Sequence, residues 1–201
     1  MSGSRLQQIL SEGGFAVTAE AGPPRGANAE VVREKGSALK GYVDAVNVTD
    51  NQTAIVRMCS MAACAHLIQM GIEPVLQMVT RDRNRIALQS DIMGAYSLGI
   101  RNILCLSGDH QTFGNQPDAM NVFDIDSMNL VNAVKIMRDA GKDMSGFELN
   151  VAPRMFIGAA ENTFADPFEY RVIRLAKKMA AGADFIQTQC GYNMARFKEW
   201  V

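Results

Sequence analysis

The chain has 201 residues, 48% of them hydrophobic, and a net charge of −1 from 20 basic and 21 acidic side chains. That length supports a domain with a sizeable core, and the balanced charge excludes nucleic acid and other polyanions as partners held through bulk electrostatics. No apolar run approaches the roughly 20 residues of a membrane helix, and the N-terminal stretch MSGSRLQQILSEGG lacks the apolar core of a signal peptide.

Strand-like and helix-like segments alternate from there on. Residues 15–19 read as a strand, 29–39 as a helix with a charged face, and 42–48 as an apolar strand running into Thr49-Asp50-Asn51. A long Ala- and Met-rich helix is expected over 53–70, a strand over 74–79, and a helix over 86–98 stopped by Gly99. A strand over 102–106 runs into Ser107-Gly108-Asp109, and a helix over 127–140 is stopped by Gly141. The strand at 155–160, the helix at 167–181 stopped by Gly182, the strand at 185–188 and a helix starting at 194 complete the pattern.

These strands are continuous apolar runs, the pattern of parallel strands covered on both faces. Six β/α units without a composition break predict one α/β domain over 1–201. A doubly wound sheet and a (β/α)8 TIM barrel both fit such a pattern. The first loop has no GxGxxG, which counts against the former. Polar residues follow strand after strand, which favours a barrel whose site is built at one rim. The fold expected is therefore a TIM barrel of which this chain covers about the first six units, its C-terminal part missing.

The strand ends carry Glu20, Thr49 with Asp50 and Asn51, Gln77 with Thr80, Asp109 with His110, Asn162 and Gln189. Two carboxylates in one apolar mouth, Glu20 and Asp109, suit acid–base work or stabilisation of a cation. Each position also has a plain reading. Glu20 caps its turn or pairs with Arg25, Asp109 closes a tight turn, and Gln189 is a satisfied buried amide. His110 reads as a loop residue, His66 as packing, and Lys177-Lys178 as a solvated helix face. Arg81–Arg85, RDRNR, reads as a salt-bridged turn or an anion site. The four cysteines, Cys59, Cys64, Cys105 and Cys190, form no CxxC pair and have no histidine at ligand spacing. Free thiols in a reducing cytoplasm are expected, and no metal site. The 13 methionines read as core filler.

Taken in order, AEAGPPRG, VNVTDN, TRDRN, LSGD, DIDS, FIGAAEN and KKMAAGADFIQTQ resemble the flavin-dependent methylenetetrahydrofolate reductase family, in the branch found in anaerobes. The resemblance implies reduction of 5,10-methylenetetrahydrofolate to 5-methyltetrahydrofolate, a step in one-carbon metabolism and methionine biosynthesis. It implies bound FAD, with FMN as the alternative, and NAD(P)H or a partner redox protein as electron donor. A homo-oligomer or a hetero-complex would follow. Glu20 matches the general acid that protonates N10 as the folate ring opens. Asp109 matches the carboxylate between flavin and folate, and Gln189 the amide that contacts the pterin. Thr49, Gln77, Ser107, Gly108, Asp109 and Asn162 fall at flavin-contacting positions, and Lys177 with Lys178 near the flavin phosphates. Two departures stand out: Gln77 replaces a histidine common in the family, and the loop after Ala160 reads ENTF. The basic RDRNR segment is a candidate to share in phosphate binding. On this reading Glu20 is fixed before a rigid double proline, among apolar neighbours that raise its pKa. Two alternatives stay open: a non-catalytic flavin- or folate-binding subunit of an electron-transfer complex, and another barrel enzyme, such as a pterin-dependent methyltransferase or an aldolase. The strand ends carry no lysine for a Schiff base, which counts against an aldolase.

Overall fold

A computed structural model describes residues 2–201. Six strands form one all-parallel sheet in the order β1-β2-β3-β4-β5-β6. They are β1 (Thr18–Glu20), β2 (Ala45–Val48), β3 (Pro74–Val79), β4 (Asn102–Leu106), β5 (Phe156–Glu161) and β6 (Phe185–Thr188). The helices are α1 (Arg5–Ser11), α2 (Glu30–Leu39), α3 (Ser60–Gln69), α4 (Arg85–Ser97), α5 (Ser127–Asp139), α6 (Phe168–Ala181) and α7 (Met194–Trp200). Each strand is followed by a helix and pairs with the next strand in sequence. This is a curled half-barrel, the first six units of a (β/α)8 arrangement, as the strand pattern predicts.

Because strand side chains alternate between faces, each strand serves two cores. Outward residues such as Val46, Val48, Leu76, Met78, Ile103 and Ile157 meet Leu67, Leu88, Ile92, Leu130 and Met137 from the helices. Inward residues Ala45, Val75, Leu104 and Phe156 meet Leu6 of α1 on the concave face. Further along the strands the concave face turns polar, with Asn47, Gln77 and Gln187. The apolar half therefore closes the floor, and the polar half lies toward the carboxyl ends.

Local chemistry fixes the helix starts. The Asn84 carboxamide accepts from the Ile86 and Ala87 amides, and Asp126 accepts from the Asn129 amide. Gly99, Gly141 and Gly182 follow α4, α5 and α6 with positive φ, as helix stops should. Gly158 has a different reason. A Cβ there would sit 2.3 Å from the Phe185 ring, which stacks on Phe156 with centroids 4.9 Å apart.

Three expectations need correction. The first strand starts at Thr18, not at 15, because Phe15 is 90% exposed and Val17 is tied only to Asp44, through its amide and its carbonyl. The second starts at Ala45, with Tyr42 81% exposed. The helix expected from 53 starts at Ser60, because the residues before it form an irregular loop with Asn51, Thr53 and Ala54 at positive φ. Helix α1 has no counterpart among the expected elements. It is short, and the Glu73 carboxylate satisfies its leading amides, those of Arg5 at 2.7 Å and Leu6 at 2.9 Å. Methionine is also more varied than core filler: Met78, Met137 and Met155 are buried, whereas Met120 is 89% exposed. Among the described residues no helix is long and apolar enough to cross a membrane.

Candidate functional site

Parallel strands place their following loops at one end of the sheet, so residues far apart in sequence converge there. A cavity of about 380 Å³ opens at that end. Glu20, Thr49, Gln77, Ser107, Gly108, Asp109 and Gln189 all line it. An adjoining hollow of about 250 Å³ is lined by Asn162 and Lys178, and shares Ser107 and Gln189 with the first. Of the ten residues expected at the site from sequence, only Lys177 lines neither; it is exposed on α6.

Glu20 is the last residue of β1, in register with Asn47. The turn behind it is pinned at three carbonyls. Gly22 accepts from Lys35 Nζ at 2.7 Å, Pro23 from Arg57 Nη1 at 3.1 Å, and Pro24 from the Met58 amide at 2.9 Å. No ion pair joins Glu20 to Arg25 among the described residues. The apolar surroundings expected for Glu20 are absent: the residue is exposed, facing an open cavity. Gln189 is likewise exposed rather than a buried amide, its backbone tied to the Glu161 carbonyl at 3.0 Å.

Asp109 does not close its own turn. Its Oδ2 accepts from the Thr53 amide at 3.2 Å, and so bridges the loops after β4 and β2. Gly108, at φ +88°, lets this loop pass close to β3, where a Cβ would lie 3.1 Å from Val79. His110 caps a short 3-10 turn, Gln111–Phe113, a loop role as expected.

The RDRNR segment is a salt-bridged turn. Arg81 grips Asp82 through Nε and Nη2, both at 2.7 Å. Arg83 holds the buried Asp50 at 2.7 Å and Asp91 at 2.9 Å, and Arg85 holds Asp124 at 2.8 Å. Each arginine thus has a carboxylate already, which removes the segment as a free anion site. The Asp82 hydrogen bonds raise the Arg81 pKa against burial. Burial pushes Asp82 up, but hydrogen bonds and charge from Arg81 outweigh it and hold the carboxyl below its usual range. On the surface, hydrogen bonds from Arg85 lower Asp124 to about 2.

Lys178 is not a solvated surface lysine. It is 5% exposed, with Nζ 2.5 Å from Glu161 Oε2 and 2.5 Å from the Ala160 carbonyl. Glu161 escapes sequence reasoning because it ends a strand that otherwise reads as apolar. Arg171 and Arg174, which line the same hollow, escape it too. Their spacing on α6 with Lys178, at i, i+3 and i+7, is the signal that could have found them.

Two observations bear on whether a phosphate-bearing aromatic cofactor fits. The Thr49 hydroxyl is buried without a partner at the first cavity, and Arg171 Nε is buried without one at the second. Orphaned polar atoms beside a cavity fit a ligand that completes them. The residues present therefore fit such a group.

Comparisons place this geometry among known proteins. An uncharacterised protein from Clostridium thermocellum, described as binding two copies of 5-methyl-5,6,7,8-tetrahydrofolic acid, superposes with a TM-score of 0.63 at 12% identity. The match covers 97% of this chain and 62% of that one. A 2,3-dimethylmalate lyase of the PEP mutase/isocitrate lyase superfamily superposes with a TM-score of 0.60 at 14% identity, over 97% of this chain and 63% of that one. The chain thus spans less than two thirds of either structure, and at these identities the likeness is one of fold. No curated protein matches the sequence. A family model described as methylenetetrahydrofolate reductase matches residues 5–201, and the chain belongs to that family.

Proposed function

We propose that the chain binds a flavin at this rim and reduces 5,10-methylenetetrahydrofolate to 5-methyltetrahydrofolate. The observation that carries the reading is the convergence of Glu20, Asp109 and Gln189 on one cavity. The family match supports it, as does the fold shared with a protein described as binding a methylated folate. When bound, the flavin supplies the hydride. The protein supplies position and charge. Glu20, fixed by its pinned turn, gives a proton to N10 as the five-membered folate ring opens. Asp109 offers a carboxylate to the cationic iminium that results. Gln189, with both amide donors and an acceptor, orients the pterin. Thr49 and Gln77 would hold the flavin ring in the larger cavity. Arg171 and Arg174 would hold its phosphate, and Lys178 would contribute less because Glu161 neutralises it.

The test uses visible spectroscopy and turnover. The chain is mixed with flavin, then with 5-methyltetrahydrofolate and an artificial electron acceptor. The expected result is a yellow protein that oxidises the folate. Glu20→Gln should keep the flavin and its reduction by an artificial donor, yet lose folate turnover by at least about a hundredfold. Normal turnover in that variant would remove Glu20 as the acid. A chain that stays colourless with added flavin would overturn the cofactor itself.

A further inference from the structure

Arg81 is 3% exposed, yet it lines the site cavity. Its guanidinium reaches three loops at once. Nε and Nη2 form a fork with Asp82, Nη1 donates to the Asp109 carbonyl at 2.9 Å, and Nη2 also donates to the Asn51 carbonyl at 3.3 Å. Asp82 Oδ2 in turn accepts from Asn51 Nδ2 at 3.3 Å. The Arg81 backbone is committed in the same direction: its amide donates to Ser107 at 3.1 Å, and its carbonyl accepts from Val122 at 2.8 Å.

The loop that Arg81 grips through Asn51 is held in costly backbone conformations. Asn51, Thr53 and Ala54 have φ of 42°, 57° and 55°. Non-glycine residues stay there only when their surroundings over-determine them. Thr53 is the residue whose amide meets the Asp109 carboxylate. Arg81 therefore holds the carbonyl of Asp109 on one side and the loop that faces its carboxylate on the other.

We propose that Arg81 is a positioning residue: its forked guanidinium sets where the Asp109 carboxylate points into the cavity. Lysine does not replace it, because a single ammonium cannot bind Asp82 by a fork and reach two carbonyls in the same plane. The proposal rests on the reductase reading for what Asp109 does, but not for how Asp109 is held.

Amide exchange at Thr53 tests it in the ligand-free chain. Arg81→Lys keeps the charge and should speed exchange about tenfold, the loss of one hydrogen bond's worth of protection. Asp109→Ala should speed it as much, and the double variant no more than Asp109→Ala alone, because both act on one contact. Unchanged exchange in Arg81→Lys overturns the proposal, as do additive effects in the double variant. A rise shared by core amides such as that of Leu104 would show general loosening and also overturn it. The measurement needs no cofactor. A chain that shows the non-additive pattern but binds no flavin would sink the reductase reading and leave the role of Arg81 standing.

Discussion

Lys178 and Glu161 form an ion pair with almost no access to water, 5% and 2% exposed. Burying two charges costs several kcal/mol each, and the pair recovers this only while both partners are present. Lys178→Ala should therefore cost about 3–5 kcal/mol, because it strands the Glu161 carboxylate. Lys178→Met with Glu161→Leu should recover most of that loss. Denaturant midpoints of the two variants check this, and equal losses would mean the pair is not the source of the cost. The pair was half legible in the sequence. Adjacent helix residues point about 100° apart, so Lys177 and Lys178 could not both face the sheet. Which one turns inward depends on Glu161, 17 residues earlier and on another element. No period within α6 carries that information.

At the scale of elements, three strands have the bounds expected: β3 at 74–79 and β4 at 102–106, both almost wholly buried, and the half-buried β6 at 185–188. β1 and β2 were extended too early because Phe15 and Tyr42 are apolar in type yet exposed in place. The start of α3 was missed because the loop before it satisfies its amides on side chains from elsewhere. The Thr53 amide meets Asp109, and that of Val56 meets Asn115 at 3.1 Å. The β5–β6 contact makes its own prediction. Gly158→Ala would drive a methyl into the Phe185 ring, so it should destabilise by about 1–3 kcal/mol through overpacking. Adding Phe185→Leu should relieve part of that strain. Thermal midpoints decide it; a Gly158→Ala variant as stable as the parent would mean the two strands shift freely.

Across the whole molecule, the rim was legible and its internal wiring was not. Parallel topology sends every strand's following loop to one end, so nine of the ten expected residues reach the two cavities. The bonds that set those residues, such as Arg83 to Asp50 and the Thr53 amide to Asp109, join different loops, which no local pattern encodes. The far end of the sheet shows the same dependence. Glu73 receives the first amides of α1 and also the Asn102 side chain at 2.9 Å, so one carboxylate joins α1 to the start of β4. Closing a loop of that length is slow relative to local helix formation. α1 is thus synthesised well before β3, and beyond its own Ser4 cap it gains the Glu73 carboxylate only once the start of β3 is in place. Pulse-labelled exchange during refolding should find the α1 amides protected later than those of β3, and earlier protection of α1 would reverse that order. A segment near the start of the chain would then be a late arrival in time, a latch that reports that the floor of the barrel is already in place.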